Sequence, residues 1–253
     1  VRLGGGDEPV QLMANPFNIC RRLLPIGEYA GALRKYRTFA LTRFSFITDA
    51  LTGARLDIED QCVPVKLASA DGTGSTCGYA SLMKAAEPLV ARGRGFRDVR
   101  RILITADAAS GKTVMMRQVI HGCSKWKHRD FNDAVPILIL IIDLQRSIAK
   151  HPQEYQGEQD LVAVYLRLNL KDSDSSRYLL LMQAYDSRRA LLLLDGVDEG
   201  GDAKSRIEDF ITGFLVHQRV QLIVTSRPEV RCLPDVFARS HVGALAGLHC
   251  GKV

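Results

Sequence analysis

Three apolar stretches in the second half of the chain each run directly into a polar loop, and their order constrains the fold more than any other feature. Arg101 to Thr105 (RILIT) leads into Ala106 to Thr113 (ADAASGKT), Leu191 to Asp195 opens LLLLDGVDE, and Leu222 to Thr225 opens LIVTSRP. Strands that empty into polar loops are how an open α/β sheet presents binding groups along its carboxyl edge. Val135 to Asp143 (VPILILIID) is almost continuously apolar, as a strand buried on both faces of a parallel sheet must be. Between the strands, Ile207, Phe210, Ile211, Phe214 and Leu215 fall at the spacing of one helix face. A helix is also expected from near Gly111, turning Val114, Met115, Val119 and Ile120 inward. Val220 to Thr225 reads as the last strand. Residues 157 to 188 stay open, because Val162, Val164, Leu166, Leu168 and Leu170 suit either a strand or the apolar side of a helix. The expected fold class is α/β, a three-layer sandwich with a mainly parallel sheet and right-handed crossovers.

The remaining features bound this reading. With 253 residues, 46% of them hydrophobic and 25% charged, the composition is that of a soluble globular protein. The longest apolar run, Ala134 to Ile142, falls far short of the ~18 residues of a membrane span. The chain opens on Val1 with neither an initiator Met nor a basic-then-apolar leader, so it reads as a fragment of a larger protein. Cys20, Cys62, Cys77, Cys123, Cys232 and Cys250 show no paired spacing, which suits reduced thiols in the cytoplasm. The histidines likewise lack metal-ligand spacing. Residues 1–98 read as a flanking region with a helix through Tyr29, Leu33, Tyr36, Phe39, Leu41, Phe44, Ile47 and Leu51 packed on the main domain. Asp71 to Ser75 is Gly-rich but lacks a following Gly-Lys-Ser/Thr, and reads as a loop. The net charge is +6, and Arg92, Arg94, Arg97, Arg100 and Arg101 cluster ahead of the first strand. No aromatic residue interleaves with them, so a solvated basic linker is favoured over a nucleic-acid surface.

The chemistry lies in the three loops. Backbone N–H groups at a helix N-terminus, aided by the helix dipole, hold a polyphosphate. In Ala106, Asp107, Ala108, Ala109, Ser110, Gly111, Lys112 and Thr113, Lys112 would reach the β- and γ-phosphates and Thr113 would give its hydroxyl to Mg²⁺. The first position of such a loop is usually glycine. Ala106 would cost roughly 1–2 kcal/mol if its backbone were left-handed. Asp195, at a strand end, is a hard oxygen ligand for Mg²⁺. Asp198 or Glu199 could orient the attacking water. Arg227 would stabilise charge on the γ-phosphate, provided its strand lies beside that of Asp195.

Together, SGKT, LLLLDGVDE with its small Gly196 and paired Asp198-Glu199, and LIVTSRP resemble the NACHT domain of the STAND class of P-loop NTPases. Ile58 to Val65 resembles the extended segment that often precedes that domain. The resemblance covers residues of about 99 to 240 firmly and 55 to 98 loosely. It implies a P-loop NTPase domain over 99–253, lacking the later portions that close over the nucleotide. It further implies a switch between ADP and ATP (GTP being an alternative) with slow Mg²⁺-dependent hydrolysis, and self-association in the full-length protein. Family members carry glycine at the positions of Ala106 and Ala109. That departure defines a second reading, an interaction scaffold that does not bind nucleotide. A third is a basic, nucleic-acid-associated P-loop ATPase, raised by the arginine cluster.

Overall fold

The structure is a computed structural model that describes residues 23–48, 52–58, 101–108, 110–125, 134–218 and 220–228, with the backbone alone at 67–69 and 247–250. The main sheet contains β3 (Leu67–Ser69), β4 (Arg101–Thr105), β5 (Val135–Leu140), β6 (Ala190–Asp195), β7 (Gln221–Ser226) and β8 (Gly247–Cys250). Its spatial order is β3-β8-β4-β7-β6-β5. The run from β8 to β5 is parallel throughout, and β3 pairs antiparallel with β8. Ahead of it, β1 (Phe46–Thr48) and β2 (Arg55–Asp57) form a small antiparallel pair.

Alternation along the strands divides the core. Ile102 and Ile104 of β4, Leu191 and Leu193 of β6, and Ile223 of β7 share one cluster with Met115, Met116, Val119 and Ile120 of helix α2 (Lys112–Ser124). Leu103, Leu192, Leu194, Leu222 and Val224 belong to the other, with Val135, Ile137 and Ile139 of β5. That second layer is completed by α3 (Ile141–Lys150), α4 (Pro152–Tyr155), α5 (Leu161–Leu170), α6 (Ser175–Asp186) and α7 (Lys204–Asp209), which runs on into Phe210–Leu215. Every residue of β6 is buried, which explains its unbroken leucines: a strand covered on both faces has no polar side. The chain is thus an α/β structure with a parallel sheet flanked by helices.

Several sequence expectations are corrected or decided. The apolar run from Val135 does not continue as strand to Asp143. It ends at Leu140, and Ile141 to Asp143 form the first turn of α3. The ambiguous span is helical. Asp160 caps α5, its Oδ1 accepting from Ala163 N at 3.0 Å, and Asp174 caps α6 through Arg177 N at 2.9 Å. Carboxylates at those positions satisfy amides that a strand would have paired sideways. The stretch ending at Thr225 is not the last strand, since β8 follows and lies against β4. The helix face at Ile207 to Leu215 is present, with Ile207, Phe210, Ile211 and Leu215 buried. Its second half winds as a π-helix, in which Val216 N donates to Ile211 O at 3.1 Å. In the flanking region, α1 (Ile26–Phe44) forms as expected but stops before Ile47, which lies in β1. Leu51, the Asp71–Ser75 loop and Glu59 to Val65 lie outside the described residues.

Helix α1 packs on α2 and α6 and reaches β5, the outermost of the described strands, through Tyr36. Its Ala32 and Tyr36 join the larger cluster and its Ala40 joins the smaller, so one helix ties both layers. Tyr36 Oη donates to the Pro136 carbonyl of β5 at 2.5 Å, and burial pushes its phenol well above the ordinary value. Tyr36→Phe should lower unfolding stability by about 1 kcal/mol, the net value of a buried hydrogen bond. Urea unfolding will show it as a lower midpoint at unchanged slope; an unshifted midpoint would mean that the bond contributes nothing.

Candidate functional site

Register brings the polar loops to one edge. Thr105 stands opposite Ser226, Leu194 opposite Val224, and Leu140 opposite Asp195, so β4, β7, β6 and β5 end nearly level. β7 lies between β4 and β6. The condition set for Arg227, a strand adjacent to that of Asp195, is therefore met.

The loop after β4 is anchored at its start. Ala106 is fully buried, and its N–H donates to Ser226 O at 3.1 Å. Among the described non-glycine residues only Arg188 has a positive φ, at 59°. Ala106 is therefore not left-handed, and the penalty feared for its methyl group does not arise. Ala109 lies outside the described residues. Ser110 Oγ donates to Asp107 O at 2.7 Å, tightening the turn. Gly111, with φ of 88°, then starts α2 with no side-chain cap. A positive φ suits glycine, which has no Cβ to clash. The first amides of any helix, here Lys112, Thr113 and Val114, have no intrahelical acceptor, and glycine gives them no side-chain one. Lys112 Nζ donates to Ala106 O at 2.7 Å and to Asp107 O at 2.8 Å. An ammonium has three donors, so one remains for a ligand.

The acidic loop after β6 is built differently for each carboxylate. Asp195 is 5% exposed, and its Oδ1 accepts from Thr225 Oγ1 at 2.5 Å. The same hydroxyl oxygen accepts from Gly196 N at 2.9 Å. Gly196, at φ 81°, turns the chain sharply there, and an added Cβ would stand 3.3 Å from the Glu199 carboxyl carbon. Asp198 faces β7: its Oδ1 accepts from Arg227 N at 3.1 Å, and its Oδ2 lies 2.8 Å from Arg227 Nε. Glu199 is exposed.

An open cleft of about 330 Å³ collects these groups. It is lined by Ala108, Ser110, Gly111, Lys112, Thr113 and Val114 from the first loop, Asp198 and Glu199 from the second, and Arg227 from the third. Asp195 and Ala106 are not part of its wall; they brace it from the buried strand ends. The lining offers helix-terminal amides, an ammonium and a guanidinium to an anion, facing two carboxylates. Such an arrangement suits a phosphate group bearing a cation.

Sequence reasoning missed Thr225 as the partner of Asp195, and the pairing of Asp198 with Arg227. Both follow only once the strand order is known, although a Thr within an otherwise apolar strand was a visible sign. Arg101, one of the clustered arginines, is half-buried: its guanidinium donates to Val216 O, and burial lowers its pKa; the other four lie outside the described residues. Among the described residues no group of three or more His, Cys, Asp or Glu side chains is placed to hold a metal ion. Among them also, no helix is long and apolar enough to cross a membrane. Comparison with models of known protein families finds no match, and comparison with curated proteins finds none either.

Proposed function

We propose that this chain is the nucleotide-binding core of a NACHT-type signalling switch, taking ATP and ADP with Mg²⁺ and hydrolysing slowly. The observation that carries the reading is the single cleft in which Lys112, Thr113, Asp198, Glu199 and Arg227 meet from three loops distant in sequence. The residues fit the ligand. The uncapped amides of α2 and the remaining donor of Lys112 would hold the phosphates. Mg²⁺ is commonly held by one or two protein oxygens plus phosphate oxygens and waters, so a protein cage is not required. Thr113 in the cleft wall would supply one of those oxygens directly and Asp195, set behind the wall, would act through a water, and the ion would neutralise charge on the phosphates. Glu199, exposed beside Gly196, would orient water. In this reading the protein resides in the cytoplasm and self-associates through this domain.

The competing readings lose part of their motive. A non-binding scaffold was suggested by Ala106 and Ala109; the backbone of Ala106 accepts a side chain, and Ala109 lies outside the described residues. Ala106→Gly should therefore bring no gain in nucleotide affinity, while lowering stability by about 0.5–1 kcal/mol through added freedom of the unfolded chain. A tenfold tighter complex would show that the methyl does obstruct the loop. The reading as a whole is tested by calorimetric titration with Mg-ADP, Mg-ATP and Mg-GTP. Saturable binding with one preferred base supports it; no heat from a folded sample would favour the scaffold.

A further inference from the structure

The acidic pair Asp198-Glu199 was read as two interchangeable candidates for handling water, yet the two side chains have different surroundings. Asp198 commits both of its oxygens to one residue: Oδ1 to the backbone N–H of Arg227 at 3.1 Å, Oδ2 to its Nε at 2.8 Å. Its side chain is only 10% exposed, whereas that of Arg227 is 46% exposed. Two of its roughly four lone-pair sites are taken, one on each oxygen, and its low exposure gives water less access to it than to Glu199. What this contact does accomplish is orientation. The backbone bond fixes where the chain leaves β7, and the Nε bond fixes the plane of the guanidinium. The terminal nitrogens of Arg227 make no hydrogen bond among the described residues, and the residue lines the same cleft as Lys112.

Building on the nucleotide reading, we propose that Asp198 is a positioning residue for Arg227, holding the guanidinium so that its terminal nitrogens meet the outermost phosphate. The division of labour follows from the two surroundings: Glu199 faces water, while Asp198 sets the ability to tell a triphosphate from a diphosphate. Arginine suits this arrangement and lysine does not, because a planar guanidinium can be gripped at Nε while presenting its other nitrogens elsewhere. The interaction also spans adjacent strand ends, from the turn after β6 to the residue after β7. A ligand that engages Arg227 is thereby linked mechanically to the acidic loop.

The test measures the affinities of Mg-ADP and of a non-hydrolysable Mg-ATP analogue, together with ATP turnover. The proteins are wild type, Asp198→Asn, Glu199→Gln, Arg227→Ala, Arg227→Lys and the Asp198→Asn/Arg227→Ala double variant, each checked for native circular dichroism. Asp198→Asn should weaken the triphosphate by roughly 10- to 100-fold, the value of a charge-assisted hydrogen bond, and leave the diphosphate unchanged. Arg227→Ala should do the same, and the double variant should be no worse than either single one. Arg227→Lys should also lose discrimination despite keeping its charge. Glu199→Gln should lose turnover with both affinities intact. If Asp198→Asn binds both nucleotides as wild type does and loses turnover instead, the positioning role is overturned while the nucleotide reading stands. If wild type binds neither nucleotide, both fall together.

Discussion

Lys112→Ala is expected to abolish the stabilisation that Mg-nucleotide gives the wild-type chain. A ligand at a hundredfold its Kd adds about 2.7 kcal/mol to the stability of the folded state. For a chain of this length each kcal/mol moves Tm by about 2–4 °C, so the wild-type shift should be roughly 5–10 °C. In the variant it should vanish, because the ammonium is the one cation that the loop carries beside the uncapped amides of α2. The comparison is readable because Lys112 costs the ligand-free fold little when lost. Of its two bonds, the one to Asp107 O is exposed and water can replace it, while the one to the part-buried Ala106 O is a single hydrogen bond worth about 1 kcal/mol. Scanning fluorimetry decides the matter. A shift of equal size in both proteins would remove Lys112 from the site.

The largest effect on the fold itself should come from Leu193→Ala. Leu193 has no exposed surface and belongs to the cluster between the sheet and α2, together with Met115, Met116, Val119 and Ile120. Truncation to Ala at such a site costs about 2–5 kcal/mol, from lost transfer energy and from the cavity left behind. Against a total stability of about 5–15 kcal/mol for a typical domain, that is a large share. Because α2 begins at Lys112, directly after the loop of Ala106 to Gly111, the loss should extend to the proposed ligand binding as looser packing beneath Lys112 and Thr113. Leu23→Ala is the natural control, being 64% exposed. Urea unfolding should separate the two variants clearly. If they unfold alike, β6 is not at the centre of the core.

What the sequence revealed and what it hid differ for physical reasons. β4, β6 and β7 were legible because strands covered on both faces are apolar without interruption and then end abruptly at a polar loop. α5 was not, since its residues Leu161, Val162, Val164 and Leu166 are all buried and satisfy both periodicities. The caps Asp160 and Asp174 were the discriminating signal, and they act on amides rather than on hydrophobic pattern. The π-helical winding after Asp209 leaves no mark in residue types at all. In the site, the identity of Lys112, Thr113, Asp198, Glu199 and Arg227 as neighbours could be anticipated from motif order. Their pairings could not: Asp195 with Thr225, and Asp198 with Arg227, depend on β7 lying next to β6.

The position of α1 has a consequence for how the molecule behaves in company. Among the described residues β5 (VPILIL) is the outermost strand and pairs with β6 on one side, and a strand edge of that composition, where it is open, invites a second chain to add to it. Two features oppose such growth. Pro136 has no N–H to offer a newcomer, and Tyr36 of α1 already occupies its carbonyl. Through Tyr36 the helix, which does not line the cleft, thus removes one of the acceptors that a newcomer to that border would need.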